Sequence, residues 1–313
     1  MRKAFVSTLC ELAESDNRIV LLTGDLGFMA LEPFRDRFPD RFFNVGVAEQ
    51  NMVGVATGMA EAGLLPFVYS IATFASLRPF EFIRNGPVLH KLPVRIVGMG
   101  MGFEYGHSGF THYALEDVAA LRTLVGLTVV VPADPAQTKA AIRATYQMPV
   151  PVYYSLGKDE RVSVPGLNAY FEMGRVAVVR KGTDVALVTM GSISQEVVAA
   201  ADQVSSRGIQ AAVIVVSHFS PDPADDLASA LSDFRHVITV EAQTLSGGLG
   251  AFVATTLATY GIPGRLRMLG VRVPPDGTSG HQEERWRKNG LDRESIVSEV
   301  MATFTAIPNA EFV

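Results

Sequence analysis

The sequence predicts an α/β protein made of two doubly wound domains in tandem, and three observations predict it. Short apolar runs and helix-like stretches alternate along almost the whole chain. The runs read as strands buried on both faces, the pattern of a parallel sheet covered by helices. A length of 313 residues, 48% hydrophobic and 19% charged, suits two domains with a core each. The alternation lapses over 158–182, where charged residues, Pro165 and glycines follow no period.

In chain order, a helix over 1–15 leads to a strand at 19–23, closed by the turn residues Gly24-Asp25. A strand-like run stops at Gly46, and a helix follows over 48–62. Strands at 65–70, 94–99 and 127–131, a helix at 135–147 and a strand at 152–155 complete a first domain, 1–168. After a linker at 169–179, a strand at 185–190, a helix at 194–206, strands at 211–216 and 236–240 and a helix at 248–260 form a second domain, 180–313.

Composition excludes several functions. With 27 Lys and Arg against 32 Asp and Glu, the net charge is −5, and no basic run offers a footprint for nucleic acid. No apolar stretch reaches the roughly 18 residues of a membrane helix. The lone Cys10 excludes an internal disulfide and a multi-cysteine metal site. The opening apolar run meets Glu11 too soon for a signal peptide, so a cytoplasmic protein is expected. No metal ligands are predicted in this chain.

The most informative stretch runs from Phe43 to Ala60. Gly54 and Gly58, four apart, share a helix face and predict a close approach by another element. Two helical glycines cost about 1 kcal/mol each relative to alanine. Glu49 falls in the first helical turn, in an apolar setting without an adjacent Lys or Arg. Its position alone is also explained by the helix dipole.

The string Gly46-Val-Ala-Glu49-Gln-Asn-Met, followed by small residues, resembles the transketolase and deoxyxylulose-phosphate synthase family of thiamine diphosphate enzymes. Pro66-Phe-Val-Tyr-Ser-Ile-Ala-Thr-Phe74, Gly106-His-Ser-Gly-Phe-Thr-His112 and Val129-Val-Val-Pro-Ala-Asp134 fall in that family's order. Glu241 with Gly247-Gly-Leu-Gly250 resembles its C-terminal domain. The resemblance implies a thiamine diphosphate pyrimidine-binding domain followed by a transketolase C-terminal-like domain. It implies that Glu49 hydrogen-bonds ring nitrogen N1′ of the aminopyrimidine, Phe74 stacks on that ring and Ile71 walls it. Asp25 is expected near the cofactor, and His112, with His107, near the substrate as proton carriers. From the residues alone, Asp25 reads equally as a turn residue, and Phe74 as one of 18 phenylalanines that mostly fill cores. His107 and His112, five apart in a glycine-rich loop, do not share a helix face as a zinc pair would.

Departures from the family pattern bear on the substrate. Ser108 stands for an acid that recognises a sugar hydroxyl, and Gly100 for a histidine. Leu156-Gly157-Lys158 replaces the phosphate-binding arginine, while Arg2 matches a second arginine at a loose N-terminus. A modified or non-phosphorylated sugar is therefore expected. Gly24-Asp25-Leu26 fails the family's Gly-Asp-Gly pattern for diphosphate and magnesium. The resemblance thus implies a separate N-terminal subunit holding Mg2+ and the diphosphate, in an α2β2 assembly. The implied reaction moves a two-carbon ketol unit from a ketose to an aldehyde. The alternatives are the β subunit of a 2-oxo acid dehydrogenase and an inactive regulatory or scaffold subunit.

Overall fold

Two sheets carry the chain in the computed structural model, which describes residues 1–272 and 276–305. Within the second predicted domain, 273–275 and 306–313 lie outside the described residues. The first half contains α1 (Arg2–Ser15), β1 (Ile19–Thr23), α2 (Glu32–Arg37), β2 (Phe42–Asn44), α3 (Glu49–Glu61), β3 (Leu65–Ile71), α4 (Ala72–Ser76) and α5 (Phe80–Ile83). It continues with β4 (Arg95–Met99), α6 (Asp117–Leu121), β5 (Thr128–Val130), α7 (Pro135–Thr145) and β6 (Val152–Leu156). The second half contains β7 (Ala177–Arg180), β8 (Val185–Thr189), α8 (Ser194–Ser205), β9 (Ala211–Val215), β10 (His218–Phe219), α9 (Ala224–Leu231) and β11 (His236–Thr244). It ends with α10 (Leu249–Thr259), β12 (Arg265–Val271), α11 (Gln282–Lys288) and α12 (Arg293–Thr305).

The first sheet has the order β10-β5-β6-β4-β3-β1-β2 and the second β12-β11-β8-β9-β7. β1, β4, β5, β6, β8 and β9 are buried along their whole length and mostly apolar; the charged exception, Arg95 at the start of β4, gives its guanidinium to the carbonyls of Tyr146, Met148 and Val150. Phe5, Leu9 and Ala13 of α1 and Ala141 and Ile142 of α7 cover one face of the first sheet. Met52, Val53 and Ala56 of α3 belong to the cluster on the other. α7 starts cleanly because Asp134 accepts the Gln137 backbone N–H at 2.8 Å and Pro135 holds the first turn.

Two edges differ from the predicted organisation. β7 begins inside the segment read as a linker and pairs antiparallel with β9. Its four residues, with Val178 exposed at the sheet edge, lack the two-sided apolar run that marks the inner strands. β10 leaves the second half to pair antiparallel with β5, His218 opposite Val130 and Phe219 opposite Val129. Two residues are too few to show a period. The seam is closed further by Val131 N–H on Ser217 O (2.8 Å) and Thr244 N–H on Leu115 O (2.9 Å). One apolar cluster joins Val20, Val68 and Val129 to Val188, Ile214 and Val253 across both halves. Among the described residues, no helix is long and apolar enough to cross a membrane.

Candidate active site

Parallel strands gather their C-terminal ends at one edge of a sheet, where loops can converge on a ligand. Here β1 delivers Gly24 and Asp25, β2 the turn at Gly46, β3 the start of α4, and β4 the loop from Gly100. Gly46 takes φ +75°, which lets the chain reverse into α3. Glu49 then falls in the first turn of α3 with 2% exposure. Ser70 Oγ donates to its Oε1 at 2.9 Å, and Arg78 Nη1 donates to its Oε2 at 2.9 Å. Although no Lys or Arg is adjacent in sequence, the fold returns an arginine from 29 residues downstream.

Arg78 also lies over Phe74, its Cζ 3.8 Å from the ring centroid. Phe74 meets the His112 ring edge-on at 5.1 Å. His112 stands 6.3 Å from Tyr105, and Lys158 Nζ sits 4.5 Å from the Tyr105 centroid. Glu49, Arg78, Phe74, His112, Tyr105 and Lys158 therefore form one continuous row. His112 Nδ1 is held at 2.9 Å by Thr111 Oγ1, which leaves Nε2 free of that bond. Ile71, half-buried, ends β3 just ahead of α4.

The other expected site residues find local partners. Asp25 adopts φ +57° and exchanges two 3.0 Å hydrogen bonds with Asn44, tying the β1 loop to β2. His107 packs against His281 of the second half, ring centroids 4.3 Å apart, and not against Phe74 or the rest of the row. Arg2 opens α1 instead of lying in a loose terminus, and its charge acts on the Tyr105 phenol, opposing the upward push of burial.

Gly100 has a local explanation. A Cβ there would run into Tyr105 Cε2, so the Tyr105 ring fills the space a side chain at 100 would need. The position where the family pattern has a histidine is thereby served by a phenol from five residues on. Beside it, the Glu104 carboxyl accepts from Ser192 Oγ at 2.9 Å and from the Lys158 backbone N–H, and burial pushes its pKa up to about 7. Arg78, Tyr105 and Glu104 escape sequence reasoning; the one signal for Tyr105 is the glycine at 100.

The fit to an aminopyrimidine is tested by what Glu49 and Phe74 hold. A flat, nitrogen-bearing guanidinium donates to the acid while lying over the ring, so the pair accepts a planar group with an N–H edge. Among the described residues, no cluster of three or more His, Cys, Asp or Glu is placed to hold a metal ion.

The family model for the transketolase pyrimidine binding domain matches residues 1–160, and that for the transketolase C-terminal domain matches 174–296. An apulose-4-phosphate transketolase subunit of Phocaeicola vulgatus is 34% identical over 301 residues, covering 94% of each chain. The 6-deoxy-6-sulfo-D-fructose transketolase subunit SqwH of a Clostridium species is 34% identical, covering 95% of this chain and 92% of its own. A solved split-gene transketolase, described as an inactive β4 tetramer, superposes with a TM-score of 0.86 at 34% identity and 97% coverage of both chains. The chain belongs to the transketolase family and carries that family's pyrimidine-binding and C-terminal domains.

Proposed function

We propose that this chain is the C-terminal, β-type subunit of a split transketolase, with domains at 1–168 and 180–313. It moves a two-carbon ketol unit between a ketose and an aldehyde once a separate subunit supplies the magnesium–diphosphate site. The observation that carries this reading is the Glu49–Phe74 pair closing on a planar nitrogen group. Glu49 would hold the cofactor at N1′, Phe74 would cover the ring, Ile71 would wall it and Asp25 would stand at the rim. Thiamine diphosphate bound there supplies the electron sink that lets a ketose carbon–carbon bond break.

The chain's own residues do the rest. Glu49, its Oε1 fixed by Ser70, would hold the ring at N1′ and share a proton with it. His112, oriented by Thr111, presents Nε2 to a substrate hydroxyl and carries its proton. His107 is kept as a second proton carrier at the second-half side of the loop. Tyr105 and Lys158 line the far end, in place of fixed arginine donors. The relatives' names, one for a branched sugar phosphate and one for a sulfo sugar, support a modified sugar as substrate here. They also support ketol transfer over the 2-oxo acid dehydrogenase reading.

The partner would cover α3. A Cβ at Gly58 would meet nothing within 4 Å, and one at Gly54 only Phe82 at 3.7 Å, so the predicted close approach is not made within this chain. Met29 (92% exposed) and Val47 (71%) are apolar residues left open on the two loops leading to this site. An α2β2 assembly burying this face, in a cytoplasmic enzyme, accounts for both. Calorimetric titration of thiamine diphosphate with magnesium tests the reading. Binding is expected with a diphosphate-domain subunit present and not with the chain alone; no binding to the mixture overturns it.

A further inference from the structure

Arg78 performs two contacts at once that a bound aminopyrimidine ring would perform. Its guanidinium donates to Glu49 Oε2 at 2.9 Å and lies 3.8 Å from the Phe74 centroid. Both are preferences of a planar, delocalised cation. The chain places it there simply: Arg78 follows Phe74 by four residues, so one helical turn brings the guanidinium back over the ring. Pro79 follows and ends the turn.

We propose that Arg78 is an internal stand-in for the cofactor ring, holding Glu49 and Phe74 ready in the free chain and displaced when the ring enters. The proposal rests on the reading that Glu49 and Phe74 seat that ring. Glu49 is 2% exposed, and a buried carboxylate without a partner is strongly disfavoured. Arg78 supplies the countercharge there until the ring supplies its own donor. Arg78 is 44% exposed at its side chain, so it can swing into solvent, where a guanidinium is well hydrated. Ser70, on β3, keeps its bond to Oε1 during the exchange and holds the acid in place. The exchange makes Arg78 a competitor: apparent cofactor affinity falls by the fraction of chains in which Arg78 is seated.

The test is the affinity for thiamine diphosphate with magnesium, measured calorimetrically on the chain assembled with its diphosphate-domain subunit. Arg78→Gln is expected to tighten binding about tenfold, since one stacked cation contact and one ion pair no longer compete. Arg78→Lys, which keeps the charge but not the flat face, is expected between the two. Unchanged affinity in Arg78→Gln overturns the proposal, and weaker affinity makes Arg78 a direct cofactor ligand instead. If the unmutated assembly binds no cofactor, the reading of the site fails and the proposal with it. If it binds and the variant matches it, the proposal alone fails. In the chain alone, a double-mutant cycle of Arg78→Gln with Phe74→Leu in urea is expected to show coupling of about threefold in the unfolding constant. Additive effects there would also overturn it.

Discussion

Glu49 and Glu241 are both buried acids beside a helix N-terminus, and they are held in opposite ways. Glu241, on β11 and fully buried, accepts the backbone N–H groups of Leu249 and Gly250 at 2.8 Å each, capping α10. Burial pushes its pKa up to about 7. The nearest cation, Arg122, spends its hydrogen bonds on the carbonyls of Gly247 and Gly248 while stacking on Phe219 and Phe252. Glu49 instead takes its partners from side chains, Ser70 and the half-exposed Arg78. An acid bonded to backbone cannot change partners without unwinding a helix. An acid bonded to side chains can.

The contrast can be broken first at Glu49. Glu49→Gln is expected to fold normally and lose at least about hundredfold in turnover, because the amide cannot exchange a proton with the ring. Near-normal turnover with the partner subunit present would remove Glu49 from the mechanism.

Glu241 should answer in stability. Its raised pKa means the folded state binds the proton more tightly than the unfolded chain does. The group is neutral in both states below about pH 4.5 and ionised in both above about pH 7. Stability should therefore fall as pH rises between those values, by about 3 kcal/mol for this one group. Glu104 is shifted in the same direction and adds to the slope. Urea melts of Glu241→Gln across this range should show a flatter profile than the unmutated chain; an unchanged slope would refute the assignment.

Gly248→Ala sharpens the same point with a smaller effect. The new Cβ would collide with Glu241 Oε2, so the cap must shift, at about 2 kcal/mol. Thermal melts should register that loss, while cofactor affinity stays unchanged. The smallest effect is expected at Tyr105. Tyr105→Phe keeps the ring that fills the space at Gly100 and removes only the hydroxyl, so KM for the donor ketose should rise about threefold with kcat preserved. A fall in kcat with KM fixed would place the phenol in the chemistry.

The same division explains what could be read from the sequence. Strands buried on both faces, such as Ile19–Thr23 and Val185–Thr189, announce themselves because apolar residues fill nearly every position. β7 and β12 do not, since they carry exposed residues and no two-sided apolar run, and β10 does not because its two buried residues are too few to show a period. Glu49, Phe74 and His112 can be named as candidates from sequence because each sits in a local string with a family pattern. Arg78 cannot: Leu77-Arg78-Pro79 carries no motif, and its partner lies 29 residues away in sequence. Tyr105 is hidden for a related reason, as its role is visible only when Gly100 is seen from the side. Asp25 and His107 lie in such strings too, yet the fold gives them neighbours, Asn44 and His281, that no local pattern foretells.

The small strand β10 sets the limit on how this protein can be divided. A piece ending anywhere between β6 and β7 would keep every strand of its own domain and still lack His218 and Phe219, which cover the edge of Thr128–Val130. Those three residues would then present unpaired amides and carbonyls to any neighbouring copy, an invitation to edge-to-edge aggregation. The first half is thus a distinct domain whose sheet is completed by the second.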